Sequence, residues 1–250
     1  MDTNIKLRVA AGSVTGARHQ RACRNGQDAV FARCDGHSAI AVVCDGCSSG
    51  TSSEVGARLG SRWFAEAVAD QLATGAAVAE RTTYEAARRA VAKRLQALVE
   101  ASGVVDAAAV HELLLFTIVA VAVTRDGAAV WALGDGAYGC DGTVRVVGPF
   151  ADNAPPYLAY DLLGDPREAS FEVLPATARR IVIATDGVEA FDYDLAVFGA
   201  VSTANPDALR RRLMLFARAE ERVAWGEGRV VRTPAVLQDD CAIAIVERIA

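Results

Sequence analysis

One stretch of the chain, residues 39–50 with the sequence AIAVVCDGCSSG, constrains the fold more than any other. Its run of small and β-branched apolar residues predicts a buried strand, and Asp45 follows at the end of that strand, directly before Gly46. A carboxylate in this position is costly to bury unless a cation or several hydrogen-bond donors meet it. The stretch therefore predicts a strand that delivers one acid to a polar site.

The same arrangement recurs along the chain. Apolar stretches end at Asp135 in AVWALGDG and at Asp186 in IVIATDG, while the pair Asp239-Asp240 precedes CAIAIVERI, and Asp28 is a further candidate. Carboxylates without histidine or thiolate partners suit Mg²⁺ or Mn²⁺ better than zinc. Acids so far apart in sequence predict one shared cation site. Two such ions close together favour hydrolysis of a phosphate ester.

Composition bounds the class of protein. A chain of 250 residues with 52% apolar and 23% charged residues predicts one globular domain over residues 1–250. The net charge of −5 argues against a nucleic-acid partner. The longest apolar run, residues 113–123, is about half of what a bilayer crossing needs. Without a recognisable signal peptide or disulfide pattern, the six cysteines favour a cytoplasmic location.

Local patterns predict the secondary structure. Asp-Gly links at residues 35–36, 126–127 and 141–142 predict antiparallel hairpins. Two consecutive amphipathic helices, each opened by a capping box in which Glu54 or Glu85 reaches back, exclude the strand–helix alternation of a Rossmann chain. A third helix is predicted after residue 205. The remaining predictions are strands at 5–11 and 114–124, a closing strand at 241–249, and loops at 12–26 and 226–238.

Five motifs carry a resemblance to a known family. In order they are NGQDA (25–29), VCDGCSSG (43–50), GDGAYG (134–139), ATDGVEAF (184–191) and QDDCAIAIV (238–246). Together they resemble the metal-dependent protein phosphatases, the type 2C serine/threonine phosphatases, and in particular their compact bacterial members. The resemblance implies an α+β fold, a four-layer αββα sandwich of two antiparallel sheets flanked by helices. It also implies a phosphoserine or phosphothreonine protein substrate and an opposing protein kinase.

The resemblance also implies a role for each acid, with two or three Mg²⁺ or Mn²⁺ ions as cofactors. Asp45 would bridge two ions, the Gly46 carbonyl would bind one of them, and Asp186 and Asp239 would hold the first ion. Asp135 would hold a third ion together with Asp186. Asp28 would orient metal-bound waters, and metal-activated water would attack the phosphoryl group directly.

The departures from the family pattern include three positions that bear on substrate handling. Cys47 stands where the family usually has a histidine, a proposed general acid, and Ala242 replaces a Ser or Thr. Cys23 stands at the spacing of the phosphate-binding arginine, so Arg24, or else Arg21, is expected to take that role. These departures concern substrate handling, whereas the metal ligands are intact.

Two alternatives stay open from the residues alone. The same fold without turnover, a pseudophosphatase that binds phosphoproteins or regulates, is favoured by Cys47 and the displaced arginine. The pair Cys44 and Cys47 has CxxC spacing, which is typical of redox pairs or of half a zinc site. Because Cys44 belongs to an apolar strand, a small buried residue is the preferred interpretation.

Overall fold

The computed structural model describes residues 6–103, 107–151 and 154–249. In chain order its strands are β1 (Lys6–Val14), β2 (Ala29–Cys34), β3 (Ser38–Cys44), β4 (Ile118–Thr124), β5 (Ala128–Leu133), β6 (Gly136–Cys140), β7 (Thr143–Val147), β8 (Ser170–Leu174), β9 (Arg180–Ala184), β10 (Glu220–Ala224), β11 (Arg229–Thr233) and β12 (Cys241–Ile249). The α-helices are α1 (Ala17–Arg21), α2 (Glu54–Ala73), α3 (Arg81–Ser102), α4 (Ala107–Leu113) and α5 (Ala208–Phe216).

Two five-stranded antiparallel sheets contain most of these strands. One has the order β2-β3-β4-β5-β8 and the other the order β1-β12-β9-β6-β7, while β10 and β11 form a separate hairpin. The Asp-Gly links at residues 35–36, 126–127 and 141–142 join β2 to β3, β4 to β5 and β6 to β7. The predicted hairpins are therefore confirmed.

The two sheets pack face to face through small side chains. In β3, Ala39, Ala41 and Val43 belong to the core between the sheets. The alternate residues Ile40 and Val42 belong to the core between this sheet and the helices. Because both faces of β3 are buried, its sequence is an unbroken apolar run rather than an alternation of apolar and polar residues.

Helices cover the outer faces of both sheets. Helices α2 and α3 pack on the β2-β3-β4-β5-β8 sheet, where the ring of Phe64 stacks on Trp131 with centroids 4.8 Å apart. Helix α5 packs on the other sheet through Leu209 and Leu213. The four layers confirm the predicted αββα sandwich. Among the helices of the described residues, none has the length and apolar character needed to cross a membrane.

The two predicted capping boxes are wrong. Neither α2 nor α3 begins with a side-chain cap hydrogen bond. The Glu54 carboxylate instead accepts a hydrogen bond from the Asn25 side chain (2.8 Å), and Glu85 accepts one from the indole N–H of Trp131 (3.1 Å). Partners that are distant in sequence have taken the two carboxylates that the local pattern assigned to the helix starts.

Three predicted boundaries also differ from the structure. The strand predicted at residues 5–11, whose first residue lies outside the described part, runs on to Val14, and α1 follows within the predicted loop. Strand β4 begins at Ile118 and not at residue 114, because Phe116 forms only an isolated bridge with Gly46. The predicted loop at 226–238 contains β11. Val14 extends β1 because it pairs with Cys241 of the distant strand β12, whereas β11 forms a hairpin with the preceding strand β10.

Candidate metal centre

The register of the first sheet places two of the predicted acids side by side. Ala29 of β2 lies opposite Cys44 of β3 in the antiparallel pair. Asp28 precedes Ala29 and Asp45 follows Cys44, so both acids emerge at the same edge of the sheet. Their proximity follows from strand pairing, although they are 17 positions apart in sequence.

The second sheet brings three more acids to one edge. Strand β9 lies between β6 and β12 and is antiparallel to both. Asp135 directly precedes β6, Asp239 lies just before β12, and Asp186 follows β9 after Thr185. The start of an antiparallel strand lies beside the end of its neighbour, so these three acids meet.

All of the predicted metal ligands line one cavity of about 150 Å³. No lysine or arginine is among the residues that line it in the described part of the chain. The lining consists of His19, Gln27, Asp28, Asp45, Gly46, Cys47, Ser48, Asp135, Pro155, Tyr157, Asp186, Asp239 and Asp240.

Asp45 and Asp28 are neighbouring acids in this cavity, and the pKa of each is raised. Burial raises the pKa of Asp45 well above its usual range, and the charges of Asp28 and Asp186 raise it further. Burial also raises the pKa of Asp28, which outweighs the lowering effect of the hydrogen bond that Asp28 accepts from the Thr185 hydroxyl (2.5 Å). Two neighbouring carboxylates therefore lack a compensating positive charge.

Asp186 and Asp135 also lack a compensating positive charge. Burial raises the pKa of Asp186 to about 6, with further contributions from the charges of Asp135 and Asp239. Burial also raises the pKa of Asp135. Its Oδ1 atom is buried and has no hydrogen-bond partner among the described residues. Crowded carboxylates with an unpartnered buried oxygen fit hard divalent cations, because oxygen ligands of this kind are what Mg²⁺ and Mn²⁺ prefer.

The backbone after Asp45 is held by the segment that precedes β4. The amide of Thr117 donates to the Asp45 carbonyl (2.8 Å), and the amide of Cys47 donates to the Leu115 carbonyl (2.9 Å). Gly46 lies between them, and a β-carbon there would come within 2.8 Å of the Ser53 hydroxyl oxygen. Close packing therefore requires glycine directly after the proposed bridging acid.

The second member of the acidic pair has a different role from the first. Asp240 is 3% exposed, and its carboxylate accepts hydrogen bonds from the amides of Gly16 (2.7 Å) and Gln27 (2.6 Å). The same carboxylate contacts Nδ1 of His19 at 2.8 Å. The sequence pattern assigns a role only to Asp239 of this pair, and it assigns none to His19. The adjacency of two acids was the available signal.

The two cysteines of the CxxC sequence occupy different environments. Cys44 is fully buried in the core beneath α2, as expected for a small apolar residue. Cys47 lines the cavity, and its sulfur lies 3.1 Å from the Ser49 hydroxyl. Burial raises the pKa of Cys47, but hydrogen bonds with Ser49 and Tyr157 outweigh burial and lower the pKa overall. All six cysteines are free thiols.

The predicted phosphate-binding arginine, Arg24, is not among the residues that line the cavity. Its guanidinium donates to the Gly50 carbonyl (3.3 Å), and that of Arg21 donates to the Gln238 side chain (3.0 Å). Arg18 lines a second cavity of about 310 Å³ that shares Asp186 and Asp239 with the first. Sequence reasoning missed Arg18 because it did not predict the helical turn of α1.

A two-sheet sandwich with carboxylates gathered at one edge is the architecture implied by the resemblance to metal-dependent phosphatases. The family model described as Protein phosphatase 2C matches residues 15–223 of this chain. The chain therefore belongs to the protein phosphatase 2C family. The matched region includes Asp28, Asp45, Asp135 and Asp186. The comparison with curated protein sequences finds no match.

Solved structures with the same fold include several bacterial phosphatases. The catalytic domain of the serine threonine protein phosphatase PstP, in complex with two manganese ions, is 15% identical with a TM-score of 0.58, and the match covers 98% of this chain and 100% of that chain. Stp1 from Staphylococcus aureus is 13% identical with a TM-score of 0.59, covering 98% and 96%. RsbX in complex with magnesium is 12% identical with a TM-score of 0.54, covering 98% and 96%. At such identities the likeness establishes the fold.

Proposed function

We propose that this chain is a metal-dependent serine/threonine phosphoprotein phosphatase. The observation that carries the proposal is the convergence of Asp45, Asp135, Asp186 and Asp239 in one cavity that no described lysine or arginine lines. Membership of the protein phosphatase 2C family supports the reaction class. The manganese ions of PstP and the magnesium of RsbX support a divalent cofactor.

The acids would together hold two or three Mg²⁺ or Mn²⁺ ions. Asp45 would be shared by two of them, with the Gly46 carbonyl as a further ligand of one. Asp186 and Asp239 would hold the first ion, and Asp135 would join Asp186 at a third. When bound, the ions would neutralise the charge of a phosphoryl group and activate water. Hydrolysis of a phosphate monoester by this water gives an alcohol and inorganic phosphate.

The chain's own residues position the reactants. The Thr185 hydroxyl donates to Oδ2 of Asp28 (2.5 Å), which fixes that carboxylate beside Asp45. We assign Asp28 the task of orienting water molecules in the cavity. The departing alcohol needs a proton, and position 47 holds no histidine that could donate it. Esters with good leaving groups are therefore expected to react faster than ordinary alkyl phosphates.

The substrate class is a phosphorylated serine or threonine in a protein, which implies a kinase that acts in opposition. Arg24 was the predicted phosphate contact, but its guanidinium is directed to the Gly50 carbonyl. Arg18 is exposed and lines the cavity next to Asp186 and Asp239. We therefore assign the contact with the phosphoprotein to Arg18. The free cysteines support a reducing, cytoplasmic compartment.

The second candidate function is a pseudophosphatase that binds phosphoproteins without turnover. Cys47 favours it, because this thiol occupies the cavity at the position of the family's usual histidine. A thiol sensor built from Cys44 and Cys47 is disfavoured by the complete burial of Cys44.

A direct assay separates the two functions. Hydrolysis of p-nitrophenyl phosphate and of a phosphothreonine peptide would be measured with Mn²⁺ and with EDTA, and metal binding would be measured calorimetrically on the same sample. The enzyme is expected to turn over both substrates only with metal. If metal binds but the rate does not exceed that of the Asp45→Asn variant, the pseudophosphatase is correct.

A further inference from the structure

His19 reaches the metal centre through α1, a helix of five residues. The turn before this helix packs directly on the acidic pair. A β-carbon on Gly16 would lie 2.1 Å from the carbonyl carbon of Asp239, so the backbone there approaches as closely as it can. The amides of Ala17 and Arg18 donate to the carbonyls of Leu237 and Gln238. These contacts fix α1 against the segment that carries Asp239 and place His19 in the wall of the cavity.

Asp240 orients the imidazole ring. Its Oδ2 atom lies 2.8 Å from Nδ1 of His19, and the two side chains are 3% and 13% exposed. The amides of Gly16 and Gln27 already donate to this carboxylate, so Asp240 is an acceptor that holds a proton on Nδ1 of His19. The lone pair of the ring is then on Nε2, which is the ring nitrogen that remains free to bind a cation in the cavity.

At metal sites, a histidine that binds the ion through one ring nitrogen usually donates a hydrogen bond from the other nitrogen to a carboxylate or carbonyl oxygen. The potential ligand atoms of His19, Asp239 and Asp240 all lie within 4.8 Å of one another. Asp239 is exposed, whereas Asp240 is buried and held by donors. A cation here would therefore be bound by His19 and Asp239, with Asp240 as the positioning residue.

We propose that His19 is a nitrogen ligand of one of the divalent ions, bound together with Asp239 and oriented by Asp240. This inference rests on the proposed metal centre and adds a ligand type that the acids do not provide. An imidazole ligand favours Mn²⁺ over Mg²⁺, because Mg²⁺ strongly prefers oxygen. The centre is thus expected to discriminate between these two ions through His19.

The opposing account of the same geometry is a protonated His19 that donates to the substrate phosphate and touches no ion. It predicts no bond between nitrogen and metal. It also predicts equal binding of Mn²⁺ by the wild type and by a His19 variant. The two accounts therefore differ in measurements that do not depend on turnover.

The test is electron spin echo envelope modulation of the Mn²⁺-loaded, tag-free protein labelled with ¹⁵N only in histidine. The chain has three histidines, and His37, in the exposed turn between β2 and β3, provides the matched control. We expect ¹⁵N coupling in the wild type and in His37→Gln, and its loss in His19→Gln. Calorimetry should show Mn²⁺ affinity falling by about 10–100-fold in His19→Gln, with a smaller change for Mg²⁺. Circular dichroism of the metal-free variants verifies folding.

Other outcomes overturn the inference in distinguishable ways. If the wild type binds Mn²⁺ without histidine coupling, His19 is not a ligand, while the carboxylate centre stands. If His19→Gln folds, binds Mn²⁺ as tightly as the wild type and retains the coupling, the inference also fails. If the wild type binds no Mn²⁺ at all, both the inference and the proposed function are wrong.

Discussion

The dipeptide Asp-Gly occurs at Asp45-Gly46 and again at Asp141-Gly142, and the two copies have opposite environments. Asp141 is exposed, and its carboxylate accepts hydrogen bonds from the amides of Arg179 (3.1 Å) and Arg180 (2.8 Å). Gly142 has φ +91°, and a β-carbon there would meet no other atom within 4 Å, so this glycine serves the turn alone. This copy is a hairpin connection and satisfies its own charge locally.

At the Asp45 copy, no interaction within the turn compensates the charge of the carboxylate. Its carboxylate is surrounded by other acids, burial raises its pKa, and Gly46 is required by packing against Ser53 and not by the turn. The comparison shows what separates a structural Asp-Gly from a candidate metal ligand. In the first, backbone donors meet the carboxylate. In the second, several strands bring carboxylates together in a cavity that no described lysine or arginine lines.

The largest expected effect comes from exchanging the acid at the site. Asp45→Asn should reduce the rate of p-nitrophenyl phosphate hydrolysis by about 10²–10³-fold, the range for loss of one electrostatic contribution to catalysis. Asp141→Asn should leave the rate unchanged. Steady-state kinetics with saturating Mn²⁺ decide the matter, and comparable rates for the two variants would remove the distinction between the two copies.

Strand-end acids could be predicted from the sequence because the signal is local. An apolar run, an acid and a glycine are contiguous at Asp45 and at Asp186, and the hairpin links that set the sheet order are equally short. The layers follow from the same patterns, since the apolar runs are buried on both faces.

The residues that complete the site could not be predicted in the same way. His19 and Arg18 lie on α1, a short helix without an apolar stripe that is positioned by the carbonyls of Leu237 and Gln238. No pattern within residues 12–26 encodes a contact with the segment before β12. The predicted capping boxes are wrong for a related reason, because Glu85 accepts a hydrogen bond from Trp131, 46 positions away.

The next effect concerns metal-free stability and pH. The pKa of Asp186 is raised from 3.8 to about 6, so the native state holds a proton more tightly than the unfolded chain. The free energy of unfolding should therefore fall by about 2–3 kcal/mol as the pH rises from about 4 to about 6. Thermal unfolding in EDTA across this range measures the slope.

Two controls sharpen this prediction. Asp186→Asn should flatten the slope, because the titrating group is gone. Saturating Mn²⁺ should reverse it, because the ion competes with protons and stabilises the deprotonated acids. A metal-free wild type that gains stability between about pH 4 and pH 6 would show that these acids are not short of positive charge.

A smaller effect is expected at the arginines. Arg18→Ala should raise KM for a phosphothreonine peptide by about fivefold, the loss of one solvent-exposed charged contact. Arg24→Ala, which removes a hydrogen bond to the Gly50 carbonyl, should leave KM nearly unchanged. The reverse ranking would restore the assignment that sequence spacing favoured. The small substrate p-nitrophenyl phosphate serves as a reference for effects on the metal centre itself.

The smallest effect lies at the hairpin copy. Asp141→Ala removes an acceptor for the amides of Arg179 and Arg180 and places alanine at a residue with φ +47°. Because the site is exposed, water replaces the lost hydrogen bonds, and the cost should be about 1 kcal/mol of unfolding free energy. Urea denaturation measures this cost, with hydrolysis of p-nitrophenyl phosphate as the parallel readout. Loss of activity at unchanged stability would mean that a change in the hairpin alters the cavity through β6. The two Asp-Gly copies would then not be independent.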